Sequence, residues 1–157
     1  QRIRRVQQIL ERPLAEENAS FYVHAPISEM NELQFIQAML DAADCQLHLD
    51  VNNIHVNSVN FAYDASAFLA ALPAGRVNYI HVAGHYRQSA DLIIDTHGAD
   101  VIDPVWVLLQ QAYSHCGIQP TLLERDFNIP PLAELQLELE QIRAIQQRVR
   151  NAEACHG

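Results

Sequence analysis

Ile80-His81-Val82-Ala83-Gly84-His85 and Ile93-Ile94-Asp95-Thr96-His97-Gly98 are the stretches whose reading decides this chain. Each is an apolar run that ends in side chains able to bind a metal. His81 closes the strand-like run Val77-Asn78-Tyr79-Ile80, and Asp95 closes Leu92-Ile93-Ile94. Imidazole and carboxylate together form a borderline-hard ligand set, suited to iron, manganese or zinc. The C-terminal ends of strands are where an α/β protein keeps its chemistry. For any one of these residues alone, a surface or turn histidine is the simpler explanation. The pattern gains weight because it recurs along the chain.

Working outward, strand patterns alternate with helix patterns. Residues 2–11 have Ile3, Val6, Ile9 and Leu10 on one helical face, stopped by Pro13. Residues 14–18 form a short strand candidate. Ser28 and Asn31 are alternative N-caps for a helix to about Ala43 with Leu33, Ile36, Met39 and Leu40 inward. Residues 46–51 read as a strand and residues 52–63 as an asparagine-rich loop. Asp64 caps a helix through Phe68, Leu69 and Leu72, ended by Pro73 and Gly75. Residues 77–83 are a strand and residues 92–95 a shorter one. Asp103-Pro104 starts a helix that carries Val105, Trp106, Leu108, Leu109 and Tyr113 and stops at Gly117. Residues 120–124 are a strand, and Pro130-Pro131 precedes a long last helix. This order predicts parallel strands joined by crossover helices in a single domain over residues 1–157, with residues 151–157 a disordered tail.

The bulk properties fit that picture. The chain has 157 residues, is 49% hydrophobic and carries a formal charge of -9, enough for one domain with a real core. The acidic balance argues against nucleic acid as a partner. Cys45, Cys116 and Cys155 form no motif, and an odd, scattered set fits a reducing, cytoplasmic compartment. No apolar run is long enough to span a bilayer, and no signal peptide is evident. A charged helical segment beginning at Gln1, with no methionine, reads as a piece of something longer. Eight histidines are many for this length.

Acids and histidines sit systematically at strand ends. Glu17 ends the first strand candidate; Asp50 ends the second, with Asn52 and Asn53 just after it. His81 ends the third, with His85 beyond Gly84, and Glu124 ends the last, with Asp126 two residues on. Asp95 and His97 lie on the excursion after the third strand. In a parallel barrel all such ends converge on one face. Each residue also has a plain structural explanation. Glu17 would be a solvated acid beside Glu16, Asp50 a turn cap, and His81 a satisfied core histidine. Asp95-Thr96-His97-Gly98 would be an Asx-type turn, and Glu124 an ion-pair partner of Arg125 or Arg76. One shared site accounts for all of them at once. His48 shares a strand face with Asp50, one layer deeper. His115 reads as a helix C-terminal histidine meeting the dipole, and His156 as part of the tail.

Taken together, Glu17-Asn18-Ala19-Ser20-Phe21-Tyr22, Leu49-Asp50-Val51-Asn52-Asn53, Ile80 to His85, Ile94-Asp95-Thr96-His97-Gly98, Asp103-Pro104-Val105-Trp106 and Leu122-Leu123-Glu124-Arg125-Asp126 resemble a known set of motifs. They are similar, in order and spacing, to the multinuclear non-haem iron-dependent oxidative enzymes. That family includes the methanobactin-biosynthesis oxygenase (MbnB-like and TglH-like members) and many uncharacterised bacterial proteins of the UPF type. The resemblance covers almost the whole chain and points to the C-terminal half of the family's TIM-type (β/α)8 barrel, about four strands. A complete barrel takes roughly 250 residues.

The resemblance implies two or three iron ions at the C-terminal face and oxygen-dependent modification of cysteine residues in a ribosomally made peptide. It also implies a partner protein that recognises the leader peptide. Glu17 resembles the carboxylate that can bridge irons, and Asp50, His81, Asp95, His97 and Glu124 resemble further ligands. Asn53 stands where some members place a ligand, and His85 is a weaker candidate beside them. Arg125 replaces a frequent tryptophan, and His48 a usual aliphatic residue. No catalytic residue beyond the ligands is assigned. Two further readings stay open: a non-catalytic half-barrel that needs a partner or self-associates, and a metal barrel of the sugar-isomerase or endonuclease kind.

Overall fold

The computed structural model describes residues 1–155. Four strands build the main sheet: β1 (Ala15–Glu17), β2 (Gln46–Asp50), β3 (Val77–Ala83) and β6 (Thr121–Glu124), in the order β1-β2-β3-β6 and all parallel. Each strand thus lies beside the next one along the chain. β1 is poor in strand formers, and pairing along its whole length with β2 holds it in place. Helices α1 (Arg2–Leu10), α2 (Glu32–Ala43), α3 (Val51–Asn60), α4 (Ala65–Ala70), α5 (Asp103–Cys116) and α6 (Leu132–Ala154) accompany the sheet.

Local chemistry sets the helix ends. Asn31 is the N-cap of α2: its side chain accepts from the Gln34 N–H while the Gln34 side chain accepts from the Asn31 N–H. The alternative cap, Ser28, instead donates to the Met30 carbonyl. Asp64 caps α4 through the Ala67 N–H, and Pro104 lies in the first turn of α5.

Strand alternation divides the sheet into two chemically different faces. Leu47 and Leu49 of β2 and Ile80 and Val82 of β3 are buried in the core, with Ile54 of α3, Leu69 of α4, Leu109 of α5 and Ile145 of α6. His48, Tyr79 and His81 share the other face, their rings 3.9–5.8 Å apart. A register shift between Leu47 and His48 keeps those rings in line.

Three expectations need correction. Residues 52–63 are mostly helical, because α3 begins directly after Asp50, whose side chain caps it. The strand expected at residues 92–95 shrinks to β5 (Ile93–Ile94), which pairs antiparallel with β4 (Tyr86–Arg87) and stands apart from the main sheet. The tail expected over residues 151–157 is helical through Ala154, since Ile142, Ile145 and Val149 anchor α6 to the core. His156 and the rest of that expectation lie outside the described residues. No helix among the described residues is long and apolar enough to cross a membrane.

Candidate metal centre

Parallel pairing brings the strand ends together. Asp50 and His81 are register partners on β2 and β3, and Glu124 closes β6 opposite Ala83. Glu17 closes β1. One ligand atom from each of Glu17, Asp50, His81 and Glu124 lies within 4.8 Å of all the others. The His81 Nδ1 is the hub: Glu17 Oε1 and Glu124 Oε2 are each 3.0 Å away, and Asp50 Oδ2 is 4.0 Å away. A ring nitrogen carries at most one proton and can satisfy one of these oxygens well. Three carboxylates on one nitrogen suit a cation seated among them.

Asp50 is fixed with particular care. Its Oδ1 accepts from the Asn53 N–H at 2.7 Å. Its backbone is clamped by Asn18, which donates to the Asp50 carbonyl and accepts from the Asp50 N–H. The turn-cap reading holds through Oδ1 and leaves Oδ2 free for another partner. Oδ2 is buried with no hydrogen-bond partner, a costly condition for a carboxylate unless something charged meets it.

A second group adjoins the first. His97, Glu124 and Asp126 also offer atoms within 4.8 Å of one another. His97 Nδ1 lies 3.4 Å from Glu124 Oε2 and 3.3 Å from Asp126 Oδ2. Glu124 is common to both groups. The His97 backbone sits in the left-handed region at φ 50°, a conformation unusual for a histidine. Its carbonyl is pinned by the Asp126 N–H at 3.0 Å. Asp95 lies outside both groups and faces His97 Nε2 at 2.7 Å. Despite these short distances, neither His97 nitrogen has a partner along its N–H direction.

The protonation states follow from the crowding. Burial, with Glu17 and Asp95 adding to it, lifts the Asp50 carboxyl to about 7, against the Asn53 N–H that favours its charge. The hydrogen bond from His81 holds Glu17 below the ordinary carboxylate value, in spite of burial. Burial disfavours the His81 cation, but Glu17, Glu124 and Asp50 outweigh it and raise His81. The Asp95 carboxylate, helped by Glu124 and Asp50, raises His97 to about 9. Burial and the neighbouring His81 lower His48. At His81 and His97 the surrounding anions favour the cationic imidazole, the role a metal ion would take over.

The sequence-expected residues thus separate. Glu17, Asp50, His81 and Glu124 converge, with His97 joined to them through Glu124. Asn53 lies in the first turn of α3, donating its side chain to the Asn18 carbonyl and leaving Oδ1 buried without a partner. His85 is buried and bonds to Asn52, away from both groups. Asp126 was visible only as an acid two residues past Glu124. His48 comes within ligand distance of Glu17 and His81, and its buried Nε2 is unpartnered. Glu124 pairs with neither arginine: Arg125 binds Asp100 and Glu138, and Arg76 binds Asp44. His115 reaches the Leu72 carbonyl at 2.8 Å.

A family model described as RiPP precursor modification enzyme MbnB/TglH/ChrH matches residues 1–147. The chain belongs to the MbnB/TglH/ChrH family. The chain is similar to a UPF0276 protein of Nitrosospira multiformis, 62% identical over 146 residues, which cover 93% of this chain and 52% of that protein. A UPF0276 protein of Shewanella amazonensis is 59% identical over 145 residues, covering 92% and 52%. One of Pseudomonas aeruginosa is 55% identical over 153 residues, covering 98% and 54%. The chain spans about half the length of these curated relatives. Family membership agrees with the resemblance carried by the Asp-Val-Asn-Asn and Ile-Asp-Thr-His-Gly motifs.

Proposed function

We propose that this chain carries one half of the metal centre of an iron-dependent oxidative enzyme that modifies cysteine residues of a ribosomally made peptide. The observation that carries the reading is the buried, unpartnered Asp50 Oδ2 beside three more ligand-type groups on adjacent parallel strand ends. The donor set fits a non-haem iron: imidazole and carboxylate only, with no thiolate among the clustered groups. Glu17, Asp50, His81 and Glu124 would hold one ion. His97, Asp126 and the shared Glu124 would hold a second. Iron bound with open positions supplies oxygen and thiolate chemistry. The chain's own residues orient the donors, keep Asp50 out of water, and release protons from His81 and His97 when an ion arrives.

The half-barrel reading belongs to the same proposal. Consecutive strands pair side by side, as in a (β/α)8 barrel, and the outer edges of β1 and β6 are open within the described sheet. The remaining strands would come from a further segment or from another chain, and a leader-recognising partner would present the peptide. Membership of the MbnB/TglH/ChrH family favours this over a sugar-isomerase-like or endonuclease-like barrel.

The test is metal analysis of the purified protein. Iron should be retained by the native chain and lost from Glu17→Ala, Asp50→Ala and His81→Ala. Unchanged iron content in all three variants would defeat the site assignment. Size-exclusion chromatography addresses the half-barrel: a monomer with cooperative unfolding would count against the need for a partner.

A further inference from the structure

We propose that His85 is a positioning residue: through Asn52 and Asp95 it fixes the carboxylate that faces His97, and so sets the second ligand group without touching it. This rests on the metal-centre reading above for its consequence, though not for its geometry.

The contacts form one line from the core to the site. Ser20 Oγ donates to Asp95 Oδ2 at 2.9 Å, and Asn52 Nδ2 donates to Asp95 Oδ1 at 2.9 Å. The Asp95 N–H donates to the Tyr22 hydroxyl oxygen at 2.9 Å. His85 Nδ1 meets Asn52 Oδ1 at 2.8 Å. Asn52 is fully buried and His85 nearly so. Gly84 brings His85 there: a Cβ on Gly84 would lie 1.9 Å from the Ala99 carbonyl oxygen, so only glycine lets the chain pass.

The direction of each hydrogen bond can be deduced. A carboxylate only accepts, so Asn52 must turn its Nδ2 toward Asp95. That leaves Oδ1, an acceptor, facing His85. His85 must then carry its proton on Nδ1 and leave Nε2 bare. Its surroundings agree with a neutral ring: burial first, then His55 and Arg87, hold it down at about 4. The His55 ring lies 5.1 Å away. With both donors in place, the Asp95 carboxylate cannot rotate, and His97 is braced against it in its left-handed backbone conformation. A group that directly partners a ligand typically changes metal affinity by about 10–100-fold; Asp95 has that place beside His97, and His85 acts on it through Asn52.

Two measurements test the inference. Long-range 15N–1H NMR on the metal-free protein should show His85 protonated at Nδ1; protonation at Nε2 would overturn it, whether or not the protein binds metal. The second measurement is a Co2+ titration of the native chain, His85→Leu and His85→Asn. Leucine leaves Asn52 Oδ1 unpaired, whereas the asparagine Nδ2 stands in for Nδ1. His85→Leu should weaken one of two Co2+ sites by up to roughly 10-fold, the lower end for an immediate partner of a ligand, and leave the other unchanged, and His85→Asn should restore most of the loss. Equal weakening of both sites, or none, would overturn it. If the native chain binds no Co2+, the metal-centre reading fails and the NMR result alone decides the role of His85. It also decides if His85→Leu fails to fold.

Discussion

Asp50→Asn separates the structural job of this residue from its proposed chemical one. The native carboxylate is 0% exposed, with Oδ1 spent on the cap of α3 and Oδ2 unpartnered. Its pKa rises from 3.8 to about 7 on folding. A carboxyl raised in this way costs nothing below its unfolded value, because both states are then protonated. The penalty grows as pH rises through the interval and is complete above about 7. At about 1.4 kcal/mol per pH unit, the native charge costs on the order of 4 kcal/mol at pH 8 and about 2 kcal/mol at pH 5.5. Asparagine keeps the cap oxygen and removes the charge. Urea denaturation in the presence of a chelator should therefore find Asp50→Asn more stable than the native chain at pH 8, by about 2–4 kcal/mol, with the gain roughly halved at pH 5.5. Fe2+ or Mn2+ at about 1,000 times its Kd should cancel or reverse the order, since it then adds about 4.1 kcal/mol to the form that binds it. A variant less stable than native at pH 8 without metal, or a gain independent of pH, would refute the argument that Asp50 is held charged against its surroundings.

Three other outcomes follow from the same geometry. Glu124→Ala should lower metal affinity at two sites and Asp126→Ala at one, as read by a two-site titration with Mn2+ or Co2+. Apparent metal affinity should rise with pH between about 6 and 9, because Asp50 and His97, at about 7 and about 9, are raised and must lose protons to an incoming ion; isothermal titration in buffers of different ionisation enthalpy should detect the released protons. Gly84→Ala should destabilise the fold by more than about 2 kcal/mol in urea, because its Cβ meets the backbone at Ala99 and Asp100.

Some of this architecture could be read from residue order alone. Asp50 and Glu124 are detectable because each ends a strand-like run, and His81 because it follows one, two residues before the end of β3; parallel pairing carries these positions to one side. Helix α3 was hidden because Asn52, Asn53, Asn57 and Asn60 disfavour helix by intrinsic propensity. Tertiary bonds override that preference: Asn53 reaches the Asn18 carbonyl, Asn57 the Ala19 carbonyl and Glu32, and Asn60 both backbone groups of Ile93. The relation of His97 to Asp126 depends on a left-handed turn and a backbone hydrogen bond between segments on either side of α5. Spacing along the chain does not encode such a contact. Arg125 illustrates the converse: next to Glu124 in sequence, it turns away to bind Asp100 and Glu138.

Glu124 is the one carboxylate shared by both ligand groups, and it sits on the outermost strand of the sheet. Within the described sheet β3 is the one strand paired with β6, while α6 and the Tyr113 hydroxyl also hold it, so a neighbour on the free side of β6 would further restrain the shared ligand. On the proposed reading, assembly and metal loading would be thermodynamically linked: a neighbour that orders β6 would tighten the ion, and the ion in turn the neighbour. In such a system the metal would act as a proofreader of assembly, since an unfinished molecule would hold its cargo loosely and release it first.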